Sequence, residues 1–103
     1  MKDIALEVIN HYGVIPQLKY FQSEVFELNE AIITHELKST VEYEIPLTEI
    51  VGTREHIIEE LGDVRFMLLQ FQCKYGITDE EIEQEVYAIW YGLDCKYYDN
   101  GDE

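Results

Sequence analysis

The chain has 103 residues, 47% of them hydrophobic and 13% aromatic, which suits one folded domain with a single core and excludes a disordered chain. Acidic residues number 22 against seven basic ones, a formal charge of −15, so binding to a nucleic-acid backbone is excluded as well. No apolar run reaches the ~18 residues of a membrane span.

The amino terminus, MKDIALEVINHYG, lacks the basic start and apolar block of a secretory signal. Cys73 and Cys95 are far apart and form no CxxC pair. A cytoplasmic protein with reduced thiols is expected.

Residues 2–12 read as a short amphipathic helix with Ile4, Val8 and Tyr12 along one side, ended by Gly13. Pro16 suits the first turn of a second helix. There Leu18, Phe21, Val25, Leu28 and Ile32 recur every third or fourth residue, and the pattern fades near Leu37. From Ser39 to Gly52 the period becomes two: Val41, Tyr43, Ile45 and Leu47 alternate with Glu42, Glu44 and Pro46. That predicts a short strand or extended loop, at an edge because proline donates no ladder hydrogen bond.

Thr53 is a good N-cap, with Glu55 in the first turn of a third helix. Its stripe is Ile57, Leu61, Val64, Leu68 and Phe71, and Gly76 closes it. Thr78 caps a fourth helix and Glu81 completes a T-x-x-E capping box. Ile82, Val86, Ile89 and Leu93 form its apolar side, and beyond Lys96 the tail should fray. The expected fold is all-α: a small helical bundle of three long helices and one short N-terminal helix. It forms a single domain over 1–96, with an acidic tail at 97–103.

Two acid pairs stand out. As heptads, Leu18, Val25 and Ile32 take position a and Phe21 and Leu28 position d, which puts Glu24 at g and Glu27 at c. On the third helix Leu61 and Leu68 take a, and Ile57, Val64 and Phe71 take d, which puts Glu60 at g and Asp63 at c. Both pairs lie on the same edge of the apolar seam, and consecutive antiparallel helices can face those edges together. Four converging carboxylates repel one another and lose hydration beside the core. A hard divalent cation, Mg²⁺ or Mn²⁺, compensates for both effects. Acids at g and c are also ordinary solvated positions, and so acidic a surface can instead imitate the phosphates of DNA for a basic protein.

These pairs, E-V-F-E-L and E-E-L-G-D, resemble the ExxE and ExxD motifs of the MazG-like all-α nucleoside triphosphate pyrophosphohydrolases. The flanks Gln17-Leu18, Ala31-Ile32 and Tyr75-Gly76-Ile77 are similar to small phage and Gram-positive members, and the likeness spans roughly residues 12–86. The resemblance implies Mg²⁺-dependent hydrolysis of a nucleoside triphosphate to the monophosphate and pyrophosphate. It makes Glu24, Glu27, Glu60 and Asp63 the catalytic metal ligands, and implies a homodimer or homotetramer. Ser23 stands where the family often doubles its first glutamate, and the spacer between the pairs is longer than usual.

The family commonly sets a Lys and then an Arg on its last helix to bind substrate phosphates. The corresponding stretch AIWYGLDCKYY offers Ile89 and Gly92. Lys19 and Lys96 are the candidates for that role, with Arg54, Arg65 or a neighbouring subunit as further sources of charge. Tyr87, Trp90 and Tyr91 suit either base stacking or an apolar interface. Three functions follow: the hydrolase, a catalytically weakened nucleotide or metal binder of the same fold, and an acidic protein-binding module such as a DNA mimic.

Overall fold

The computed structural model describes residues 1–38 and 52–93. They form α1 (Lys2–Tyr12), α2 (Val14–Lys38), α3 (Arg54–Lys74) and α4 (Asp79–Leu93). The period-two segment, Lys96, Cys95 and the acidic tail lie outside the described residues. Within them the protein is an all-α, small helical bundle.

The helix ends follow local chemistry. Gly13, at φ +92°, turns the chain after α1 and donates its N–H to Ile9 O at 2.8 Å. Helix α2 begins at Val14, so Pro16 falls in the first turn, where its missing N–H costs no helical bond. Thr53 Oγ1 accepts the His56 N–H at 3.1 Å and caps α3. The Thr78–Glu81 capping box is formed in both directions, at 3.1 and 3.2 Å. Between these helices Gly76, at φ +63°, completes the turn out of α3.

Helix α3 is the centre of the bundle, packed by α1 and α2. Ala5 and Ile9 of α1, Ala31 of α2 and Met67 of α3 are buried between them. Phe21 meets Phe71 edge to face, with ring centroids 5.7 Å apart, a favoured aromatic geometry.

The packing corrects the expected seam. On α2 the buried line runs through Gln17, Glu24 and Ala31, and on α3 through Glu60 and Met67, which are the g positions. The a positions turn outward: Leu18, Val25 and Ile32 are about 40% exposed, and Leu61 and Leu68 about 50%. Both helices are thus rotated by one side-chain line, which brings the acid edges into the contact instead of beside it. Apolar spacing marks where the greasy side chains are, and not which of them this chain covers itself.

Helix α4 stands apart. Among the described residues it packs against no other helix. Its first turn is tethered by the Lys2–Asp79 ion pair at 3.0 Å and by Gln72 Nε2 donating to Asp79 Oδ1 at 2.6 Å. Ile82, Val86, Ile89 and Trp90 are exposed. Since α1 and α2 already occupy α3, the apolar side of α4 finds no counterpart within the bundle.

Candidate metal centre

Antiparallel packing of α2 on α3 sets Glu24 opposite Glu60, with Asp63 on the same face of α3 as Glu60. One ligand oxygen from each of Glu24, Glu60 and Asp63 lies within 4.8 Å of the others. Glu24 is only 5% exposed and Glu60 only 8%, whereas Asp63 opens to solvent. Glu27 is exposed and outside this group of three, although its charge bears on both buried acids.

Each buried carboxylate has a donor-bearing side chain four residues earlier on its own helix. The Tyr20 hydroxyl bears on Glu24 and opposes the upward push of burial on its carboxyl. His56 Nε2 stands 3.3 Å from Glu60 Oε1. The remaining oxygens, Glu24 Oε2 and Glu60 Oε2, are buried with no hydrogen-bond partner among the described residues. Burial pushes the Glu24 carboxyl up from its ordinary value, and the charges of Glu27 and Asp63 add to this. Burial raises Glu60 too, followed by repulsion from Glu27 and Asp63, with His56 pulling the other way.

Two buried, uncommitted carboxylate oxygens on facing helices are costly when charged. They are also the donor set a hard divalent cation prefers: oxygen ligands at short range, with open positions left for water or phosphate. The residues therefore fit the Mg²⁺ or Mn²⁺ that the motif resemblance implies.

Beside this cluster, and lined by Glu24 and Asp63 themselves, is a cavity of about 580 Å³ between α1, α2 and α3. Tyr12 and Tyr20 lie on its wall, and Gln17 and Gln70 contribute amides to its lining. Gln17 Nε2 donates to Gln70 Oε1 at 2.7 Å, and Gln70 Nε2 points at Met67 Sδ at 3.4 Å. A second hollow of about 690 Å³ lies between α3 and the start of α4, and none of the cluster acids lines it.

Other expected participants are placed elsewhere. Lys19 is exposed on α2 and does not line the cavity beside the acids. Arg65 faces the second hollow, and Arg54 is the first residue of α3. Tyr87, Trp90 and Tyr91 are exposed on α4 and are not part of the cavity wall. Conversely, Tyr20, His56 and Gln70 reach the site without having been singled out for it. For Tyr20 and His56 the sequence does hold a signal: each is a hydrogen-bond donor one helical turn before a paired acid.

No family model, curated protein or solved structure matches the chain. Among the described residues no helix is long and apolar enough to cross a membrane.

Proposed function

We propose that this protein is a cytoplasmic, Mg²⁺-dependent nucleoside triphosphate pyrophosphohydrolase of MazG-like type, using Mn²⁺ as a substitute, and that it works as a homodimer or homotetramer. The observation that carries this reading is the pair of buried oxygens, Glu24 Oε2 and Glu60 Oε2, left without partners beside a cavity of nucleoside size. Glu24, Glu60 and Asp63 would hold the cation, and Glu27 would add negative charge near it. A bound divalent ion supplies charge neutralisation of phosphate oxygens and acidifies a water for attack at the α-phosphorus.

The chain's own residues do the rest. His56 faces one oxygen of Glu60 and Tyr20 lies one turn before Glu24, while Oε2 of each acid is left without a partner and would be available to the ion. Tyr12 and Tyr20 on the cavity wall suit an aromatic base, and Gln17 adds a polar group to the same wall. Lys19 stands off the cavity, so the positive charge for the phosphates comes from Lys96 or a second subunit in addition to the ion. The same displacement of Lys19 favours, as a second reading, a nucleotide or metal binder with weakened turnover.

Helix α4 supports the oligomer. A lone helix of 15 residues is marginal in water, and Val86, Ile89 and Trp90 on it are each more than half exposed. Covering them against the outward Leu18–Val25–Ile32 line of another copy would remove both apolar surfaces from water.

The deciding measurement is pyrophosphate release from a panel of nucleoside triphosphates with Mg²⁺, for the wild type and Glu60→Gln. Release that disappears in the variant supports the hydrolase. Thermal stabilisation by Mg²⁺ without release supports the binder. Indifference to both the metal and Glu60 rejects both and leaves the acidic protein-binding module.

A further inference from the structure

Both ring nitrogens of His56 are engaged. Nδ1 accepts the backbone N–H of Gly52 at 3.2 Å, and Nε2 faces Glu60 Oε1 at 3.3 Å. A ring nitrogen that accepts an N–H carries no hydrogen itself, so the imidazole hydrogen sits on Nε2, the nitrogen that faces the carboxylate.

Gly52 is in turn held from α2. Its carbonyl oxygen lies 2.8 Å from His35 Nδ1, which must carry a hydrogen to make that bond. The residue is buried at φ +82°, and a Cβ there would come within 2.7 Å of Thr34 Cγ2 and 3.0 Å of the His35 backbone nitrogen. Only glycine fits both the left-handed backbone and the close approach. One residue thus sets two histidines in opposite tautomers and links the end of α2 to an acid on α3.

We infer that His56 is a positioning residue for Glu60: by holding Oε1 from a fixed tautomer, it presents Oε2 to the cation. This role rests on the cation site proposed above and adds a side chain that does not itself touch the ion. Tyr20 serves Glu24 from an exposed position, 55% accessible. The His56 side chain is 19% accessible and is gripped on its far side by Gly52. Hydrogen bonds of this kind fix the orientation of a ligand before the metal arrives, and losing one typically weakens metal affinity by 10- to 100-fold.

The test uses Mn²⁺ alone as the probe, with free ion counted by electron paramagnetic resonance, on the full chain as wild type, His56→Ala and His56→Gln. The expected result is affinity about 10- to 100-fold weaker in His56→Ala, with most of it restored in His56→Gln, whose amide nitrogen donates near the position of Nε2. Wild-type affinity in His56→Ala overturns the positioning role and leaves the metal site standing. Equal weakening in both variants, together with a lowered melting temperature, assigns His56 a structural role and also overturns it. Failure of the wild type to bind Mn²⁺ overturns the site and the role together. Should His56→Ala not fold, ¹⁵N spectra of wild-type imidazoles decide: hydrogen on Nε2 supports the role, and hydrogen on Nδ1 overturns it.

Discussion

Helices α3 and α4 follow one another through a tight turn and carry the same apolar spacing, but their surroundings are inverted. Helix α3 buries Glu60 and Gln70 while Leu61 and Leu68 face outward; α4 covers none of Ile82, Val86, Ile89 or Trp90. A carboxylate oxygen buried without a partner, as Glu60 Oε2 is, and an apolar face left in water are both unfavourable. The contrast teaches that the two surfaces are completed by different things. Under the proposed function, an ion completes the polar contact between α2 and α3, and protein covers the apolar side of α4.

The most disruptive way to break that contrast is to charge the protein-seeking side. Val86→Glu with Trp90→Glu removes two apolar anchors, at roughly 2 kcal/mol or more each. Light scattering should then show the assembly reduced to monomers, while the α1–α3 bundle keeps its helical signal. Wild-type protein that is already monomeric at high concentration would refute the proposed partner.

Gly52→Ala should come next. Strain at φ +82° and the clash with Thr34 together cost on the order of 3 kcal/mol, or roughly 15 °C in the melting temperature of a domain this size. An unchanged melt would mean that the approach to α2 is looser than the geometry requires.

A smaller effect with an unusual sign is expected at the acids. Glu24 and Glu60 are raised from an ordinary value of 4.5, so the metal-free folded protein retains protons that the unfolded chain releases. Their contribution to stability is full below that value and is lost as pH rises through the elevated ones. Melts in a chelator should therefore weaken across that window. Glu60→Gln should stabilise the metal-free protein by about 1 kcal/mol and abolish stabilisation by Mg²⁺. A variant less stable than wild type in chelator would contradict the idea that Glu60 is an uncompensated charge.

The finest comparison uses identical chemistry on the two helices. Thr53→Ala, at the cap of packed α3, should lower global stability by about 1 kcal/mol. Thr78→Ala, made in the monomeric background, should leave the bundle's melt unchanged and only speed amide exchange along α4. Equal losses in both would show that α4 is coupled to the bundle after all.

The sequence carried the helix boundaries well because they depend on neighbouring residues alone: Gly13, Thr53, Gly76 and the Thr78–Glu81 box act within one turn of where they stand. The acid pairs were legible for the same reason, since spacing along a helix is local. The rotation of the seam was not. Gln17, Glu24, Glu60 and Gln70 are buried against their transfer preferences, and hydrophobic periodicity has no way of registering a polar layer. Gln70 joins the site through its bond to Gln17 across the helix pair. Gly52 and His35 are brought together by the return of the chain onto α2, so their link to His56 needed coordinates. Glu27 illustrates the opposite case, a residue with the right spacing that the helix places outside the close group.

Gly52 has one more consequence, for how the chain between the acid helices can vary. Both of its backbone polar atoms are bound to histidines, one from each flanking helix, so the start of α3 is anchored to α2 through this residue. Extra residues inserted between 39 and 51 enter the chain ahead of that anchor. They should then cost little beyond closure entropy, about 0.6 kcal/mol for each doubling of length. A change in the length of the spacer between the two motifs should therefore be tolerated in a thermal melt, provided that the chain returns to a glycine at this point.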